Sequence, residues 1–120
     1  MEAFLSQMID KSGIFLFVGS ALLVAAVITY KFPPKKINLL YGYRTQASMK
    51  NQAIWDFSQK YSSVRMFWLG LILLIITPIN TLIPTTEVQS VILGLGLMVL
   101  GFVLLCVATE RAIKKKFPNE

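Results

Sequence analysis

Asn38, Gly42, Arg44, Thr45, Ser48, Asn51 and Trp55 fall within 18 consecutive positions of one polar stretch, KINLLYGYRTQASMKNQAIWDFSQKYSSVR, residues 36–65. Their types suit recognition. Arg44 offers a planar fork of donors that matches a phosphate or carboxylate, and asparagine side chains both donate and accept. Trp55 has the amphipathic ring that favours the headgroup level of a bilayer. Together they can hold a lipid headgroup or the acidic terminus of a partner. Each also has a plainer role, with Asn38 and Arg44 satisfying carbonyls at a turn and Trp55 anchoring a helix. Asp56 is the only acid in this stretch. A lone carboxylate is thin support for acid–base chemistry, so a small membrane enzyme or carrier for a lipid-linked or phosphorylated substrate is the second reading.

Other chemistry lacks its residues. The chain has no His and one Cys, so an imidazole or paired-thiolate metal site has no ligands and neither a Cys/His nor a Ser/His/Asp triad can be assembled. No phosphate-cradling glycine loop is present, and Gly94-Leu95-Gly96 lies inside an apolar run with no preceding strand. Neither a metal nor a cofactor is expected. Cys106 reads as a small packing residue.

The elements that must position the polar stretch are apolar. Hydrophobic residues make up 55% of the 120 positions and charged residues 15%, against roughly 25% charged in ordinary soluble domains. Residues 13–30, 66–83 and 88–109 form runs of 18, 18 and 22 positions without Lys, Arg, Asp or Glu. A helix needs about 20 residues to cross about 30 Å of hydrocarbon. With interfacial flanks the runs predict an all-α integral membrane domain over residues 1–120, with spans at 13–31, 64–83 and 88–109 and a motif segment at 32–65.

Lys and Arg are unevenly shared among the connections. The segment before span one has one, residues 31–65 have seven, residues 84–87 have none and the tail has four, Arg111, Lys114, Lys115 and Lys116. Basic segments stay cytoplasmic, which predicts N-out and C-in with the polar stretch inside. The net charge of +6 then faces the anionic lipid headgroups of the inner leaflet. No nucleic-acid partner is expected, because the charge already has this explanation and no binding signature accompanies it. The opening MEAFLSQMIDKS lacks the basic start of a signal peptide, so the first run reads as a mature helix. Phe4, Leu5, Met8 and Ile9 fall at helical spacing there, which fits either a surface-lying amphipathic turn or a frayed end.

Pro33 and Pro34 end span one, and Tyr41-Gly42-Tyr43 marks a turn. From Ser48, an N-cap candidate, Ile54, Phe57, Tyr61, Val64 and Trp68 recur at spacings of three and four. This predicts an amphipathic helix that either lies along the inner membrane face or feeds into span two. Thr77, Pro78 and Asn80 read as a kink or helix end. In span three Gly94, Gly101 and Ala108 repeat every seven positions, with Ser90 four before, so small residues line one face. That face suits packing within the three-helix unit or a homo-oligomer.

The pattern Ile37-Asn38-x-x-Tyr41-Gly42-Tyr43-Arg44-Thr45-x-x-Ser48-Met49-Lys50-Asn51-x-x-x-Trp55 resembles the signature of the SdpI/YfhL family of small bacterial membrane proteins. In that family an N-x-x-x-G-x-R-T element is followed by S/T-x-x-N and a Trp, and the likeness covers roughly residues 20–110. The resemblance implies a multi-pass protein of the bacterial cytoplasmic membrane, non-enzymatic, giving resistance to a secreted antimicrobial peptide toxin. It also implies signalling by holding a cytoplasmic regulator at the membrane, with Asn38, Gly42, Arg44, Thr45, Ser48, Asn51 and Trp55 as the interaction site. With Cys106 replaced by Ser, a cysteine at position 86 is expected to react with an impermeant thiol reagent in intact cells. A cysteine at position 52 is expected to react only after lysis; the reverse pattern would invert the orientation.

Overall fold

Each charge-free run becomes the middle of a long helix in a computed structural model, which describes residues 1–119. The first helix, α1, spans Glu2–Lys31, α2 spans Gln52–Leu82 and α3 spans Glu87–Lys116. Among the described residues there is no strand. At about 1.5 Å per residue each helix is about 45 Å long, which crosses the hydrocarbon with turns to spare at the ends. The expected all-α, three-span architecture is the one observed.

Local chemistry sets where the helices start and stop. α1 ends at Phe32, immediately before Pro33 and Pro34. α2 is capped by Asn51, whose side chain accepts from the Ile54 amide at 2.9 Å. α3 begins with a capping box in which Thr86 Oγ1 accepts from the Gln89 amide and Gln89 Oε1 from the Thr86 amide, so two donors that a helix start leaves unpaired are satisfied reciprocally. The first residues are helical and join α1 across a kink at Ser12, where φ is −114° and ψ is 20°.

The helix over residues 52–63 is not a separate surface element. It runs unbroken into span two, so α2 carries three polar turns followed by its apolar length. Ser48 does not cap it, because its hydroxyl is engaged within the preceding turn. Pro78 neither ends nor breaks α2, which continues to Leu82. The hydroxyls of Thr77 and Thr81 donate to the carbonyls of Leu73 and Thr77, which keeps polar atoms paired where proline interrupts the helical ladder.

α1 and α2 cross with their backbones in near contact at Gly19 and Gly70. A Cβ on Gly70 would lie 2.9 Å from both the Gly19 carbonyl oxygen and the Leu23 nitrogen, and one on Gly19 would lie 3.0 Å from the Gly70 carbonyl oxygen. Absence of side chains at this crossing permits the close packing that holds helices together in lipid, where the hydrophobic effect gives no drive for one helix to meet another. The small face of α3 is spent inside the molecule, with Gly94 against Ile14 of α1 and Gly101 against Leu69 of α2. Large apolar side chains such as Phe17, Ile72, Ile92 and Phe102 point outward, as lipid-facing positions should.

The helices run up, down and up. Residues 83–86 and the α1 start meet at one end, where Lys11 Nζ donates to the carbonyls of Thr81 and Ile83. At the same end Asn80 Nδ2 donates to Ser12 Oγ at 2.8 Å and to Ser90 Oγ at 3.0 Å, and Ser12 pairs with Thr81 at 3.0 Å. One buried amide thus ties all three helices, a role different from the kink or helix end that its sequence position suggests. The motif segment and the end of α3 share the opposite end, where Phe57 packs edge-on against Phe117 with centroids 5.9 Å apart.

Gly70→Ala is expected to destabilise the fold by about 1–3 kcal/mol, because backbone atoms on α1 must move. Gly96→Ala, with nothing near its added Cβ, should be neutral or slightly stabilising, since Ala is the better helix former. Thermal melting of the two variants in detergent micelles, followed by circular dichroism, checks the difference.

Candidate functional site

The chain leaves α1 at Phe32 and is fastened to the start of α2 by backbone carbonyls. Pro34 accepts from Trp55 Nε1 at 2.6 Å and Lys35 accepts from Gln52 Nε2 at 2.6 Å. Trp55 is fully buried. Its indole therefore serves as a bolt between the α1 exit and α2, an apolar body with one polar tip that must find a partner when buried.

Asn38 builds the next turn. Its Oδ1 accepts from the Leu40 and Tyr41 amides at 2.9 and 2.8 Å, and its Nδ2 donates to the Lys36 carbonyl, so the side chain mimics a backbone turn. Tyr41 donates its hydroxyl to the Phe32 carbonyl at 2.9 Å, which closes the turn onto α1. Gly42 follows with φ +101°, a backbone conformation that residues with a Cβ rarely adopt. There is no room for one either, since an added Cβ would meet Gln59 Oε1 and lie 2.7 Å from Pro34 Cγ.

Tyr43 is then clamped to α2. Gln59 Oε1 accepts from the Tyr43 amide at 2.7 Å while Gln59 Nε2 donates to the Tyr43 carbonyl at 2.7 Å. The Tyr43 hydroxyl donates to the Cys106 carbonyl of α3 at 3.3 Å, so one residue links the loop to both helices. Burial pushes the Tyr43 phenol well above its ordinary range, and the negative charge of Glu110 raises it further. It therefore remains a donor.

Thr45 and Ser48 bind each other reciprocally. The Thr45 amide donates to Ser48 Oγ at 2.8 Å and the Ser48 amide to Thr45 Oγ1 at 3.1 Å, with Ser48 fully buried. Asn51 then caps α2. Of the seven residues singled out from the sequence, six thus build the loop.

Arg44 is the exception. It is exposed and, among the described residues, makes no hydrogen bond or ion pair. On the same loop, five and four positions before it, Leu39 and Leu40 are 75% and 91% exposed. The loop presents the Arg44 guanidinium and two leucines to whatever lies over this end of the bundle.

From the sequence Pro34 has only a helix-ending role and Tyr43 only a place in a turn, and Gln59 is not singled out, although these three hold the loop in place. The available signal was Gln59 itself, a polar residue four positions after Trp55 and hence on the same helical face. Ser62 and Ser63 continue that face, and Ser63 pairs with Thr29 of α1 at 2.8 Å.

Three apolar helices long enough to cross a bilayer, joined at one end by a self-bonded polar loop, define a multi-pass α-helical membrane protein. The model of the SdpI/YfhL protein family matches residues 35–109, which take in the loop, α2 and most of α3, and the chain belongs to that family. YfhL of Bacillus subtilis (strain 168), itself uncharacterised, is 32% identical over 101 residues, covering 82% of this chain and 80% of YfhL. No solved structure matches the chain.

Gln59→Leu removes the partner of the Tyr43 amide and one of the two donors to the Tyr43 carbonyl, which keeps Ser48 Oγ at 3.2 Å, and is expected to cost about 2 kcal/mol, the range for leaving a buried polar group unpaired. Hydrogen exchange should rise at the amides of residues 42–45 while the spans stay protected. Unchanged protection in the loop would show that the clamp contributes little.

Proposed function

We infer that this chain is a non-enzymatic immunity or signalling protein of the bacterial cytoplasmic membrane, protecting the cell against a secreted antimicrobial peptide. Its interaction site is the loop over residues 38–51, and its contact group is Arg44. One observation carries the assignment of the site: the side chains of Asn38, Thr45, Ser48, Asn51 and Trp55 are taken up by bonds that shape the loop, whereas the Arg44 guanidinium is left free. A scaffold so fully satisfied within itself is what a fixed recognition surface needs, because little ordering is left to be done on binding.

Membership of the SdpI/YfhL family supports the immunity reading. The non-enzymatic reading rests on the side chains available. The chain has no His and one Cys, and Asp56, the one acid of residues 36–65, accepts from Gln52 Nε2 at 2.8 Å. The lysines and arginines gathered at the loop end favour its placement on the cytoplasmic side. Arg44 there suits a carboxylate of a regulator or of a toxin that reaches the inner face, by bidentate charge-assisted hydrogen bonds. The exposed Leu39 and Leu40 offer it an apolar neighbour.

Expression of the chain in toxin-sensitive cells should raise survival in the presence of the cognate secreted peptide. Arg44→Ala at equal membrane level should abolish most of that protection without lowering the melting temperature. An intact protein that protects against none of the secreted peptides of its own strain would remove the immunity reading.

A further inference from the structure

A cleft of about 950 Å³ opens on the motif end of the bundle, between the exit of α1, the first turns of α2 and the end of α3. It lies on a different part of the surface from Arg44, which does not line it. Four cations border it: Lys35, Lys60, Arg65 and Lys116. Among the described residues Asp56 is the only acid there, and its Oδ1 is engaged by Gln52.

Three of these cations lie over aromatic faces instead of pairing with carboxylates. Lys116 Nζ stands 4.8 Å from the Phe57 ring centroid, the Arg65 guanidinium 5.1 Å from that of Tyr61 and Lys60 Nζ 5.7 Å from that of Tyr30. Such contacts hold a long side chain in place and leave its donors available to an anion. Arg65 is additionally steered by two hydrogen bonds to the Tyr61 hydroxyl, at 2.8 and 3.2 Å. These point its head back from the apolar length of α2 toward the polar turns, as an arginine near a membrane boundary does.

The cleft changes character along the bundle axis. Lys60 and Lys116 stand at its polar mouth, whereas Val64 and Trp68, both partly exposed, line an apolar floor toward the middle of α2, with Trp68 about 12 Å along α2 from Lys60. A free phosphate would occupy the mouth and leave the apolar floor uncovered. An amphiphile whose anionic head sits among the lysines and whose chain lies along Val64 and Trp68 covers both. The bilayer around the helices supplies such molecules in the required orientation.

We propose that this cleft is a binding site for one anionic phospholipid, its phosphate held by Lys60, Lys116 and Arg65 and its acyl chain laid along Val64 and Trp68. This site does not depend on the immunity reading, because it uses none of the loop residues that carry that reading. It does account for the concentration of basic side chains at this cleft, where topology alone would ask only for positive charge somewhere on this side.

Native mass spectrometry of the full chain released from detergent, after incubation with phosphatidylglycerol or phosphatidylcholine of the same acyl chains, tests the site. One phosphatidylglycerol per chain is expected to survive release, and phosphatidylcholine is expected to be lost. Replacing Lys60, Arg65 and Lys116 together by Gln should weaken retention at least about tenfold, given the strength of a basic residue toward anionic lipid. The same loss of charge outside the cleft, Arg111→Gln with Lys114→Gln and Lys115→Gln, should leave retention unchanged. Lys60→Gln alone should give an intermediate loss at an unaltered melting temperature, so that a folding defect in the triple variant is recognised. Equal weakening by the two triple variants, or equal retention of the two lipids, overturns the proposal. Displacement of the lipid by excess inorganic phosphate alone would also overturn it, in favour of a free-anion site.

Discussion

Gly19 and Gly70 let the backbones of α1 and α2 meet with no side chain between them, and the polar contacts at both ends of the bundle depend on that approach. Two antiparallel helices so close have their residues in fixed register. Toward the motif end this register sets Thr29 beside Ser63 and the Pro34 carbonyl beside Trp55. Toward the other it sets Ser12 beside Thr81 and Asn80. In lipid, an unpaired polar group has no water to turn to, so a register that pairs these groups is strongly preferred over one that does not.

The two ends use polarity differently. At the end away from the motif, Asn80 gathers Ser12 and Ser90 into a buried cluster, and Lys11 closes the C-terminal carbonyls of α2. A cation at a helix C-terminus meets the negative end of the macrodipole as well as the orphaned carbonyls. That end is a structural clasp, holding α3 to a pair of helices with which it shares a lighter interface. At the motif end the polar atoms are turned toward a loop, and the result is a rigid surface instead of a closed knot. Gln59 pairs with the Tyr43 backbone as a neighbouring strand would, with one donor and one acceptor.

This division explains why so many polar residues are needed in a short segment. A loop of about twenty residues between two helices carries backbone donors and acceptors that must be paired, and here Asn38, Thr45, Ser48, Asn51 and Gln59 pair much of them without help from another chain. Arg44 is held out by that framework. The cations of the neighbouring cleft are held by a different device, aromatic faces on α1 and α2, which direct them without neutralising them. Cations held by two separate devices therefore stand at one end of the bundle.

The spans were legible from composition because a bilayer imposes a simple rule: about twenty apolar residues without charge. The loop's identity was legible because Asn38, Gly42, Arg44, Thr45, Ser48, Asn51 and Trp55 recur at a recognisable spacing. What those residues do was not, since an Asn reads alike whether it caps a helix, shapes a turn or binds a ligand. Sequence placed the α2 cap at Ser48, whereas tertiary contact with the Thr45 turn consumes that hydroxyl and leaves the role to Asn51. It read Asn80 with Pro78 as a kink or helix end, whereas the arrival of Ser12 and Ser90 makes Asn80 the junction of three helices. By itself the sequence determined that the chain spans a membrane three times and which segment is distinctive. Only the packing of α1 against α2 decided which polar groups are consumed by the fold and which are left over, because pairing depends on neighbours distant in the chain.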